Sequence, residues 1–136
     1  MIVPRLAHGI KAMLRVGFDR VVDVLKSIGT ASSIYFEVLP TKPRVALFIG
    51  EKYFFRAGNY LLATTMVVER SDGVEIKIVA GGGKESLLDL FDLGASRDYA
   101  RMILDEVCRA LGVKPENVVE VHYLEVKDSA KLWSSI

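Results

Sequence analysis

The residues best placed by type and spacing to do chemistry are Gly81, Gly82, Gly83 and Lys84, which follow an alternating stretch that starts at Val74. Consecutive glycines can take positive φ and let a ligand approach the backbone closely. With a lysine beside them and a helical turn beyond, their N–H groups form a bend that attracts phosphate or carboxylate. The spacing departs from the nucleotide-binding patterns. A P-loop needs Ser or Thr directly after its lysine, whereas Glu85 separates Lys84 from Ser86, and the dinucleotide fingerprint needs glycine where Ser86 stands. The structural alternative is a plain connector between a hairpin strand and the C-terminal helices. Tyr53, Lys52 and Arg56 are the second set of interest. If the strand ends converge near Gly81, Tyr53 and Arg56 would offer hydrogen bonds and charge to a ligand at the sheet margin; otherwise they form a strand end with aromatic packing.

Other reactive side chains are scattered. His8 and His122 have no nearby His or Cys at metal-ligand spacing, so no metal site is expected. Ser32 and Ser33 precede a strand without a base close in sequence, and no G-x-S-x-G motif occurs. Asp89 and Asp92 share one face of a helical turn, as an acid–base pair or as its solvated side. Cys108, the sole cysteine, falls on an inward helical position and reads as a small buried hydrophobe; a lone cysteine also excludes an intrachain disulfide. No cofactor and no catalytic residue is assigned.

The 136 residues suffice for one domain with a core that needs no disulfide or metal, with a short tail over 115–136. Hydrophobic residues make up 51 % and charged residues 26 %, and the net charge of +1 argues against a general nucleic-acid or anionic-membrane surface. The first thirty residues are nevertheless basic, as a helix face or as a surface for an anionic partner. No apolar run approaches a membrane span and no signal peptide is evident, so a cytoplasmic location is expected. Glutamine is absent and asparagine occurs only at 59 and 117, which suggests a thermophile.

The elements that must position these residues follow from periodicity. Leu6, Ile10, Met13, Leu14, Val21, Val24, Leu25 and Ile28 recur at three- and four-residue steps, which predicts one long amphipathic helix from Pro4 to Gly29, bent or closely crossed at Gly17. Strands are expected over Ile34–Leu39, Arg44–Ile49 with a break near Gly50, Tyr60–Glu69, and Val74–Ala80. Hairpin turns are expected at Gly58-Asn59 and, as type I′, at Asp72-Gly73. Ser86 opens a short turn, and Ser96 caps a helix with Tyr99, Ala100, Ile103, Leu104, Val107 and Leu111 inward, ending at Gly112. Residues 118–126 read as a fifth strand or a helical turn, and 127–133 as a terminal helix.

Together these give an α+β fold: an antiparallel meander of four strands, or five, with an N-terminal and a C-terminal helix on one face. Both faces of the Tyr60–Glu69 strand are apolar, so the face turned from the helices needs a cover. A partner subunit, the tail or a ligand could supply it. The segment from Glu51 to Arg56, with Gly81-Gly82-Gly83 and Gly94-Ala95, resembles an uncharacterised family of small prokaryotic α+β proteins. The resemblance covers about the middle half of the chain; it implies the fold and the glycine bend and assigns no chemistry. The functional expectation is a non-enzymatic domain that binds a small apolar or anionic ligand or forms a homodimer. The alternative is an enzyme whose glycine-rich loop holds a phosphorylated or carboxylated substrate.

Overall fold

A computed structural model describes residues 7–55, 58–82, 93–122 and 126–133. In chain order the elements are β1 (His8–Leu14), α1 (Phe18–Ser27), α2 (Gly29–Ser32), β2 (Tyr35–Leu39), β3 (Val45–Phe54), β4 (Asn59–Arg70), β5 (Gly73–Gly81), α3 (Leu93–Leu111), β6 (Glu116–His122) and α4 (Val126–Trp133). The fold is α+β, with one six-stranded antiparallel sheet in the order β2-β3-β4-β5-β1-β6. The expected meander is β2 to β5, and two further strands extend it beyond β5.

The extra strand at the start corrects the reading of one long N-terminal helix. Ile10, Ala12 and Leu14 are buried while Lys11 and Met13 are only partly so, a two-residue period that the three- and four-residue spacing of Ile10, Met13 and Leu14 conceals. Gly17 is then no helix interior: it stands at the N-cap of α1 in extended conformation. Only the second half of the expected helix forms, burying Phe18, Val21, Val22 and Leu25 along one stripe. The residue expected to end it, Gly29, opens α2.

Three local expectations also change. β3 runs through Gly50 in unbroken register with β4, from Val45 opposite Val68 to Phe54 opposite Asn59. Gly50 is required by packing, since a Cβ there would collide with the backbone of Thr30 and Ala31 in α2. The β3–β4 connection spans residues 55–58, longer than the expected two-residue turn, and Gly58 takes φ 60°. The β4–β5 hairpin has Ser71 and Asp72 as its loop, one residue earlier than read, and neither has positive φ, so the type I′ turn is not made. Residues 86–91 lie outside the described set. The tail folds as β6 and α4, and α3 begins at Leu93 instead of at a Ser96 cap, with Ser96 itself buried.

The core joins alternate residues of four strands to three helices. Ile10, Ala12, Leu14, Ala46, Phe48, Leu61, Ala63, Val67, Val74, Ile76, Ile78 and Ala80 form one buried cluster with the inward sides of α1, α2 and α3. The expected inward set of α3 is buried, Cys108 included. The Tyr99 hydroxyl donates to the Thr30 carbonyl oxygen at 2.6 Å, tying α3 to α2, and its ring lies 5.4 Å from that of Phe54.

The opposite, outer face of the sheet is divided. On β5, Glu75 and Lys77 pair with each other at 3.4 Å, and Arg70 reaches Glu75 at 3.5 Å. On β2, β3 and β4 the same face carries Tyr35, Leu39, Tyr53, Tyr60, Leu62 and Met66, all exposed. Val121 and Leu132 are buried yet outside the main cluster, and α4 rests against β6 and β1. It therefore sits at the far end of the sheet from β2.

Gly50 gives a direct test of this packing. Gly50→Ala is expected to destabilise the fold by about 1–3 kcal/mol, the usual cost of forcing extra volume into a packed site. Gly29→Ala, with open space around the added methyl, should leave stability unchanged or slightly raised. Urea unfolding of both variants measures the contrast; equal midpoints would contradict the α2–β3 contact.

Candidate functional site

Strand register decides which of the sequence-derived site residues meet. Gly81 pairs with Leu62, Leu62 pairs with Glu51, and Tyr53 pairs with Tyr60. Gly81, Leu62, Tyr60 and Tyr53 thus share one end of the sheet, and alternation puts them all on its outer face. Gly82 takes φ 116°, a backbone that favours glycine, and its α-carbon region lies against the backbone of Tyr60 and Leu61. Gly81 and Tyr53 stand on strands separated by β4, two residues apart in register. Arg56, Gly83 and Lys84 fall outside the described residues, as do Asp89 and Asp92.

What this end of the sheet presents is aromatic. Tyr53 and Tyr60 meet edge to face with centroids 5.2 Å apart, and Tyr53 meets Phe55 at 6.0 Å. Phe55 is 93 % exposed. Gly81 contributes no side chain, and Ala7 packs against the outer side of its backbone, 3.1 Å from where a Cβ would stand. The rings themselves form a shelf that can stack a flat or apolar group, which aromatic surfaces do through offset and edge-on contacts. Lys52 is on the other face, its Nζ 5.6 Å from the Phe54 ring centroid.

The remaining sequence candidates have structural roles. Ser32 Oγ donates to the carbonyl oxygens of Lys26 and Ile28, and Ser33 Oγ accepts from the Glu51 N–H. Burial pushes the Cys108 thiol up, away from the thiolate that a nucleophile would need. Among the described residues no three His, Cys, Asp or Glu side chains come together as a metal site.

One polar cluster was not legible in the sequence. His8 on β1, Glu120 on β6 and Arg101 on α3 come from three distant segments. The Arg101 guanidinium donates to both Glu120 carboxylate oxygens at 2.9 Å, and His8 Nε2 lies 2.9 Å from Glu120 Oε1. His8 is 2 % exposed. The bidentate Arg101 contact, joined by that of His8, holds the Glu120 carboxyl down at about 2. Only the β1–β6 register, with His8 opposite His122 and Ile10 opposite Glu120, brings these groups together. The sole sequence signal was Glu120 between Val119 and Val121, an acidic residue facing away from its apolar neighbours. Farther along α3, a cleft is lined by Asp98, Arg101, Met102, Asp105, Glu106 and Arg109. Acidic and basic groups alternate along it, the pattern of a solvated helix face.

Glu120 has a depressed carboxyl, so its stabilisation is complete above the ordinary carboxyl value near 4.5 and disappears as pH falls toward about 2. Glu120→Gln should therefore melt lower than the parent chain at pH 7, with the difference shrinking steadily below pH 4.5. Thermal melts across that range measure it; a gap that stays constant with pH would show that the carboxylate charge is not involved.

Comparison with protein-family models, with curated proteins and with solved structures finds no match.

Proposed function

We propose that this chain is a non-enzymatic interaction domain that assembles with copies of itself through the β2–β4 side of its sheet. One observation carries the reading: Tyr35, Leu39, Tyr53, Tyr60, Leu62 and Met66 project from adjoining strands of one face and are all exposed. Their neighbours Val45, Leu47 and Ile49 on β3 are half-buried. Scattered exposed apolar residues are ordinary on a protein surface, whereas a larger apolar group on adjoining strands is the pattern of a contact surface; Glu37 and Glu51 stand on the same face among these residues. Tyrosine, phenylalanine and methionine are also the types enriched at interface centres. The charged half of the outer face, Glu75 with Lys77 and Arg70, would form a polar border. None of the polar groups around the His8 cluster needs a substrate to account for it, which favours binding over catalysis.

Replacing Leu62 and Met66 together by Glu tests the reading. Both side chains are exposed in the single chain, so the fold should change by no more than about 0.5 kcal/mol each. The parent is expected to show a concentration-dependent dimer in light scattering and the double variant a monomer. A parent that stays monomeric at high concentration would remove the proposal.

A second reading rests on a different observation, the aromatic shelf beside Gly81 and the positive-φ backbone at Gly82. There a small, mainly apolar molecule would lie on Tyr53 and Tyr60, its anionic end held by the glycine backbone with Lys84 and Arg56. Tyr53→Ala should abolish any thermal shift produced by a metabolite and lipid panel. No shift with the parent chain, together with a clean apo mass in native mass spectrometry, would eliminate the ligand.

A further inference from the structure

The outer face of the sheet is covered at one side by the chain itself. Gly9 pairs with Val121 and Ile10 with Glu120, and Arg101 of α3 holds Glu120 on the helix-bearing side, so alternation turns Val121 to the outer side. Val121 and Leu132 of α4 are nevertheless both buried, and α4 rests on β6 and β1. α4 therefore covers the outer face over those two strands. Among the described residues no helix covers β5, β4, β3 and β2 on that side.

Strand register sorts the outer side chains of these four strands into rows. Glu37, Leu47, Met66 and Lys77 make one row, each directly opposite the next. An acid and a base stand at its ends, with two apolar side chains between them. Turned end for end, the row is its own complement. We infer that two copies stack outer face on outer face about a two-fold axis parallel to the strands and midway between β3 and β4, so that Glu37 of each meets the partner's Lys77 and Leu47 the partner's Met66. The inference rests on the self-assembly proposed above and supplies its geometry.

Such an axis leaves position along the strands unchanged, so each row meets its own copy reversed. Val45 then meets the partner's Val68, and at the end of the sheet Tyr53 meets the partner's Tyr60. Leu39 falls on the partner's Glu75, which Arg70 and Lys77 already hold. Other axes fit less well. Moving the axis to β4 would bring β2 over the partner's β1, where α4 stands. Moving it to β3 would set Glu37 on the partner's Met66, a carboxylate buried against an apolar side chain. An axis across the strands would bring β2 onto β2 and β5 onto β5, so that Glu37 and Lys77 each approach their like. Both charges have capacity for the contact. A carboxylate accepts several hydrogen bonds and an ammonium donates three, so the Tyr35 hydroxyl on Glu37 Oε2 and Glu75 at 3.4 Å from Lys77 Nζ saturate neither. Four strands about 4.8 Å apart and about nine residues long make a plane of roughly 19 by 30 Å, about 600 Å² before side-chain relief is counted, against ~800 Å² per partner in a standard stable interface. Footprint and charge order together identify the occupant as a second copy.

Charge reversal tests the alignment, with sedimentation equilibrium as the readout. Glu37→Lys alone sets lysine against lysine twice in the dimer, and Lys77→Glu alone sets glutamate against glutamate twice, so each should dissociate where the parent is dimeric. An equimolar mixture of the two restores an opposite-charge pair at both places and should give a heterodimer. The double variant Glu37→Lys/Lys77→Glu, whose net charge equals the parent's, should again form a homodimer. Glu51→Lys is the control: Glu51 meets the partner's Leu62 in this geometry, so its mixture with Lys77→Glu should stay dissociated. Glu37→Gln and Lys77→Gln, which add no like-charge contact within the chain, should each weaken the dimer severalfold. Equal rescue by Glu51→Lys would overturn the alignment, as would the absence of any effect from both glutamine variants. A parent that dimerises while neither the mixture nor the double variant does would overturn the alignment and leave the face interaction standing. A parent that is monomeric throughout would overturn both.

Discussion

The fold depends on β5 being paired along both of its edges. β4 takes one edge from Leu62 opposite Gly81 to Arg70 opposite Gly73, and β1 takes the other from His8 opposite Ala80 to Leu14 opposite Val74. Val74, Ile76, Ile78 and Ala80 are consequently almost completely inaccessible, and β6 gains a strand to pair with. Remove β1 and β5 becomes an open apolar edge, β6 loses its partner, and Glu120 loses His8. The six-stranded sheet is therefore one cooperative arrangement in which the first strand is the keystone between the hairpins and the C-terminal elements.

Much of this was legible in local pattern. Alternation from Val74 to Ala80 and the Asp72-Gly73 neighbourhood placed β4 and β5 within a residue of their observed limits, and the apolar face of α3 placed its end at Leu111 but not its start, which lies three residues before Ser96, because each strand limit depends on a short-range period or turn. The N-terminal strand was not legible for a physical reason. Ile10, Met13 and Leu14 satisfy both helical and strand spacing, and what decides between them is the free edge of β5, which lies far along the chain. Gly50 misled in the same way: a glycine inside a strand reads as a bulge, yet here it is required by the backbone of α2, an element too short to announce itself.

Of the candidate site, strand register places Tyr53 and Gly81 toward one end and on one face of the sheet, with β4 between them; Gly83, Lys84 and Arg56 lie outside the described residues. Charge divides the outer face: Glu75, Lys77 and Arg70 form ion pairs there, and the exposed large apolar side chains of that face stand on the strands from β2 to β4. The His8–Glu120–Arg101 cluster could not be seen in advance, since it requires the register of β1 against β6 and the bulge between Lys11 and Met13 where Asn117 takes φ 52°.

The placement of β1 has a bearing on how the molecule is made. The first strand leaves the ribosome well before either neighbour exists, since Ile10 must wait for Ile78 on one side and Glu120 on the other. At synthesis rates of about 5–20 residues per second, that strand spends several seconds with its ladder groups and apolar side chains unsatisfied. Formation of the core is thus deferred until most of the polypeptide has emerged.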